Sequence, residues 1–112
     1  MACGEHDITV NQGSLFYQDF KFLQLDGNPV DLTGSEFAAQ IKEKRDLDAP
    51  PVATLEVTIM EPTEGTVRVK LPPAESRKVK TTGFWDLVRD PAGTREMLLR
   101  GKAVLNQGVT DV

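Results

Sequence analysis

Thr54-Leu55-Glu56-Val57-Thr58-Ile59-Met60, then Glu61-Pro62-Thr63-Glu64-Gly65, then Thr66-Val67-Arg68-Val69-Lys70-Leu71 is the stretch on which the fold turns. Leu55, Val57 and Ile59 alternate with polar residues, and Val67, Val69 and Leu71 do the same. Side chains of a strand point alternately to opposite faces, so period-2 alternation on both sides of a Pro- and Gly-containing turn predicts an antiparallel hairpin with one buried face.

The flanking sequence reads the same way. Ile8-Thr9-Val10 is a short strand stopped by Asn11-Gln12-Gly13. In the run 15–25, Phe16, Phe20 and Phe22 share one face and Leu15, Tyr17, Leu23 and Leu25 the other. A strand apolar on both faces is expected to be central or to carry a bulge. Asp26-Gly27-Asn28-Pro29 is a turn, and 36–43 alternates as a half-buried strand. Lys44 to Pro51 is an exposed loop, and Pro72 to Arg77 suits one helical turn with Pro at its start. Residues 83–89 and 96–105 are strands joined by Asp90-Pro91-Ala92-Gly93, a type I turn signature, and Gly101 within the last strand marks a bulge or bend.

About seven strands in 112 residues, with no crossover helices, predict a single all-β domain, an antiparallel β-sandwich. Residues 1–7 are expected to be a flexible arm free to pair along a neighbour's sheet edge, and 106–112 a short tail. The expected core is Ile8, Val10, Phe16, Phe20, Phe22, Phe37, Ile41, Leu55, Val57, Ile59, Val67, Val69, Leu71, Trp85, Leu87, Leu98 and Val104. Burial of a large apolar side chain is worth roughly 1.5–3 kcal/mol. Such a core offsets the entropy of ordering only narrowly, which points to a homo-oligomer or a larger assembly.

Composition excludes several function classes. Net charge is −4, with residues 1–56 carrying 4 Lys/Arg against 10 Asp/Glu. Phosphate backbones repel such a chain, so no nucleic-acid partner is expected, and the short basic stretch Arg77-Lys78-x-Lys80 reads as a solvated loop. No apolar run reaches the roughly 18 residues of a membrane helix. The N-terminus has neither the basic start nor the apolar stretch of a signal peptide, so no membrane partner and a reducing cytoplasm are expected. Cys3-x-x-His6 is half a zinc site with no second half, leaving only a metal shared between subunits. Asp86, between Trp85 and Leu87, is expected to be a partly buried anchor held by donors from a loop or an Arg. No catalytic, metal or cofactor-binding residues, and no small-molecule substrate, are expected. Trp85 and Tyr17 leave a small-ligand or carbohydrate-binding sandwich as an alternative.

Asp26-Gly27-Asn28-Pro29-Val30-Asp31-Leu32-Thr33-Gly34 with Gln40-Ile41-Lys42, then Gly65 to Pro72, Gly83-Phe84-Trp85-Asp86-Leu87, and Leu99 to Val104 with Val109-Thr110, form an ordered set of motifs. They resemble a family of small tailed-bacteriophage structural proteins, similar to the N-terminal domain of phage upper baseplate proteins. The sequence departs from that pattern at Pro72-Pro73 and at Phe84-Trp85. The resemblance implies an immunoglobulin-like sandwich. Asp31, Leu32, Thr33, Gly34, Gly83, Trp85, Asp86, Leu87 and Gly101 would be its fold determinants, with Asp31 and Thr33 capping their loop. It further implies a non-enzymatic virion protein of the tail, baseplate or fibre attachment, assembled in the bacterial cytoplasm, with other virion proteins and copies of itself as partners. A capsid-decoration or neck protein is the alternative.

Overall fold

A computed structural model describes residues 4–106. The strands are β1 (Gly4–Glu5), β2 (Ile8–Asn11), β3 (Phe16–Lys21), β4 (Phe37–Lys42), β5 (Ala53–Glu61), β6 (Thr66–Leu71), β7 (Gly83–Arg89) and β8 (Glu96–Asn106). A 3-10 turn spans Pro62–Glu64, and a single helical turn, α1, spans Pro73–Ser76. The all-β class expected from periodicity holds. The hydrogen-bonding order is β1-β8-β7-β4-β5-β6-β3, with β2 also on β8, and β1 and β2 run parallel to β8, so the strands form one continuous curled mixed sheet.

The curl runs through β5. Its first three residues pair with β4 (Ala39 opposite Leu55, Ile41 opposite Ala53) and the rest with β6 (Val57 opposite Val69, Ile59 opposite Val67). The expected hairpin is therefore present, its turn closed by Gly65 in the left-handed region at φ 69°. Past Leu71, Pro72 cannot donate to the ladder and the chain leaves it as α1. The Glu75 carboxylate then accepts the Thr54 N–H at 3.0 Å, where β6 supplies no partner. The Lys78 ammonium and this N–H together hold the Glu75 carboxyl below the usual range.

The interior of the curl is apolar. Ile8, Val10, Phe22, Ile41, Leu55, Val67, Val69, Leu71, Trp85, Leu87 and Leu98 are buried as expected, with Phe16, Phe20, Phe37, Val57 and Ile59 packed at the margin. Phe20 meets Trp85 with ring centroids 6.0 Å apart, which joins β3 to β7 across the core. Val30, Leu32, Val79, Leu99 and Ala103 are buried too. Val104 is 39% exposed, contrary to expectation. Leu87 lies opposite Leu99 but Val88 opposite Met97, so Leu98 is an extra residue. This bulge, three residues before Gly101, exchanges the faces of everything after it and turns Ala103 inward in place of Val104.

Two further expectations are corrected. First, β3 is neither central nor bulged. It ends the sheet order, and Leu15, Tyr17 and Leu23 on its outer face are 50%, 58% and 50% exposed. Second, residues 4–7 do not form a free arm. Gly4 and Glu5 lie parallel to Leu99 and Arg100, the His6 N–H donates to Arg100 O at 2.9 Å, and Asp7 Oδ1 accepts the Lys102 N–H at 2.8 Å. The sheet edge that the arm covers belongs to its own chain. Cys3, Val109 and Thr110 lie outside the described residues, as does all of the tail after Asn106, itself the last residue of β8.

Candidate interaction surfaces

The residues with chemical potential are mostly engaged inside the fold. His6 lies edge-on to Phe20 at 5.1 Å, its Nε2 is 3.2 Å from Gln18 Oε1, and its carbonyl accepts the Trp85 Nε1–H at 2.8 Å. Trp85 is 2% exposed, so it presents no face to a sugar, and Tyr17 lies on the outer face of β3. The two aromatic residues of the carbohydrate alternative are not brought together. No group of three or more His, Cys, Asp or Glu stands close enough to hold a metal among the described residues, and no helix there is long and apolar enough to cross a membrane.

The motif residues fall into two places. Asp31 Oδ1 accepts from the Thr33 N–H at 3.0 Å and from the Thr33 hydroxyl at 2.7 Å, the side-chain cap that this spacing permits. The hydroxyl, then the N–H, holds the Asp31 carboxyl below its ordinary range. Leu32 is fully buried and its N–H donates to Pro62 O, while Gly34 turns the chain at φ 76°. Arg89, at the end of β7, locks this loop by donating to Asp31 O at 3.1 Å and Ser35 Oγ at 2.9 Å. The remainder lie along the sheet. Leu87 is buried beside Trp85. Gly83 and Gly101 sit where a Cβ would collide with the carbonyls of Lys42 and His6, respectively.

Asp86 is on the other face of β7, opposite Gln40 on β4 and Arg100 on β8. It lines a shallow cleft of about 180 Å³ with Lys42, Phe84, Arg100 and the loop after β4. That loop is folded back: Lys42 Nζ donates to Leu47 O at 2.9 Å, and the Arg45 guanidinium lies 4.7 Å above the Phe84 ring. Phe84 was not singled out from the sequence, because alternation assigns it to the face away from the core. The expected hydrogen-bonding partner of Asp86 is not found among the described residues. Arg95 and Lys42 act on it through charge alone, and half-burial pushes its carboxyl above the ordinary value. The folded state therefore holds its proton more tightly than the unfolded chain. Stability associated with Asp86 falls as pH rises from the ordinary carboxylate range through the raised value. Asp86→Asn should raise the melting temperature at pH 7 and leave it unchanged near pH 3. Parallel thermal melts check this, and an equal shift at both pH values would assign the effect to packing.

β3 forms one edge of the sheet. Phe22 donates its N–H to Gly65 O and accepts from the Val30 N–H, so its main-chain groups face the β6 side. Alternate residues of a strand point their N–H and C=O to opposite sides. Tyr17, Asp19, Lys21 and Leu23 consequently direct theirs outward, past the last strand of the sheet. On the same stretch, Arg68 grips Asp19 through Nε–Oδ1 at 2.7 Å and Nη2–Oδ2 at 3.1 Å, lowering the Asp19 pKa, and stacks 5.0 Å from the Tyr17 ring. Lys21 Nζ is 3.6 Å from Glu64. No protein-family model matches this chain, and no curated protein is significantly similar to it.

Proposed function

We propose that this chain is a non-enzymatic structural protein of a tailed-bacteriophage virion, a tail, baseplate or fibre-attachment module held in place by protein–protein contacts. The observation that carries this reading is the β3 edge, where main-chain groups without a partner among the described residues coincide with the exposed apolar side chains Leu15, Tyr17 and Leu23, which flank Asp19 and Lys21. An exposed edge is a ready template for another chain. The conspicuous side chains, His6, Trp85 and Asp31, are meanwhile engaged in holding the chain's own loops and strands. The motif resemblance supplies the setting.

Mass spectrometry of purified particles, together with an image of the assembly, tests this. Virion proteins would include this chain in fixed ratio to a tail or baseplate component. Its recovery only from the particle-free fraction would overturn the reading. A fixed ratio to the capsid or neck proteins would instead favour a decoration or neck role.

A further inference from the structure

We infer that the partner of the β3 edge is the β3 edge of a second copy, paired antiparallel about a two-fold axis at Phe20. This rests on the reading of the chain as a protein held by protein contacts, and adds which surface is used, by what and in which register. The outer face of the edge runs Leu15, Tyr17, Asp19, Lys21, Leu23. With the axis at Phe20, Asp19 lies opposite the partner's Lys21, and Tyr17 opposite the partner's Leu23. Leu15 points toward the turn that carries the exposed Leu25 of the other copy. Each pairing is repeated by the symmetry, as an isologous interface requires.

The neighbouring registers fail. An axis at Asp19 sets two carboxylates against each other, and one at Lys21 opposes two ammonium groups. An axis at Gln18 places Leu15 against Lys21. Only the Phe20 register matches opposite charges and apolar groups together, and like charges directly opposite are destabilising in a ladder. The main chain agrees. Tyr17, Asp19, Lys21 and Leu23 all point their N–H and C=O outward, so this register brings outward-facing residues opposite one another and forms about eight backbone hydrogen bonds.

The charges within one copy extend the pattern. Arg68 flanks Asp19, and Glu64 flanks Lys21. Across the junction the outer surface would read Arg68, Asp19, then the second copy's Lys21 and Glu64, with signs alternating throughout. On the inner side, Phe16 and Phe20 are only partly buried at this margin, and a second copy would cover them. An interface of one strand pair is small, which places its dissociation constant in the weak range that many copies on one assembly reinforce.

Sedimentation of the full chain from about 10 µM to about 1 mM reads the pairing directly. The wild type should pass reversibly from monomer to dimer. Lys21→Glu sets Glu against Asp19, and Asp19→Lys sets Lys against Lys21, so each variant alone should dimerise at least roughly ten-fold more weakly. An equimolar mixture restores both opposite-charge pairs and should form a heterodimer at about wild-type strength. Both positions are exposed, and circular dichroism with thermal melts verifies that each variant is folded. A wild type that stays monomeric throughout, a dimer indifferent to either variant, or a mixture that fails to pair would each overturn the inference. Retained incorporation into particles alongside any of these results would leave the virion reading standing and remove only the self-pairing of this edge.

Discussion

Deletion of residues 1–7 should lower the melting temperature by roughly 15–20 °C, corresponding to about 4 kcal/mol for a domain of this size. The sequence alone casts this segment as a free arm, whose loss would weaken assembly more than folding. The structure places its described part, residues 4–7, along β8 of the sheet. Removing it deletes the His6 N–H to Arg100 bond, the Asp7 acceptor of the Lys102 N–H and the His6 carbonyl that accepts Trp85 Nε1–H. Three such bonds are worth about 1 kcal/mol each. Loss of the His6–Phe20 ring contact adds about 0.5–1 kcal/mol. Thermal melts followed by far-ultraviolet circular dichroism and by the fluorescence of Trp85 measure the effect. A red-shifted native emission is also expected, because the indole loses its cover. A change under about 2 °C would show that the segment contributes nothing to folding.

Gly101→Ala should cost about 3 kcal/mol, at the upper end for overpacking by a single methyl group. Gly101 lies opposite Trp85 on β7, and the His6 main chain passes directly over it, leaving no space for a Cβ. Both clashing parties are backbone, so no side-chain rotation relieves the contact. Urea denaturation should show a lower midpoint at an unchanged slope. The decisive measurement combines the two changes. Without residues 1–7 the three nearest contacts of a Cβ at Gly101, all from His6 and Asp7, are gone, and Ala should then be neutral or slightly stabilising, by up to about 0.5 kcal/mol, since Gly weakens a strand. Equal costs in both backgrounds would mean that the close approach is not the reason for glycine at this position.

The hairpin of β5 and β6 was legible because both of its causes are local: period-2 alternation and a turn whose Gly65 adopts positive φ. The helical turn after Pro72 and the Asp90–Gly93 turn, closed by a 3.0 Å bond from the Gly93 N–H to Asp90 O, were legible for the same reason. The candidate surface was only half legible. The apolar residues of 15–25 stood out, but apolar character on both faces does not distinguish a strand covered on both sides from an edge awaiting a partner. That difference depends on whether any other strand reaches the far side of β3, and none does among the described residues. Asp86 stood out as a carboxylate within an apolar strand, while its half-burial with only the charges of Arg95 and Lys42 nearby and no donor among the described residues is a tertiary outcome that no local pattern encodes.

By itself, the sequence determined the strand class, the position of nearly every turn and the inward face of each strand up to the first irregularity, since these depend on neighbours within a few residues. Tertiary structure decided the rest. Gly4 and Glu5 carry no periodic signal and become a strand only because Leu99 and Arg100 offer main-chain partners. Val104 is turned outward by an extra residue at Leu98, visible only against the register of β7. One curled sheet forms because β5 exchanges β4 for β6 partway along its length. Backbone hydrogen bonds are satisfied by whichever strand lies alongside, and which strand that is depends on the packing of the whole chain.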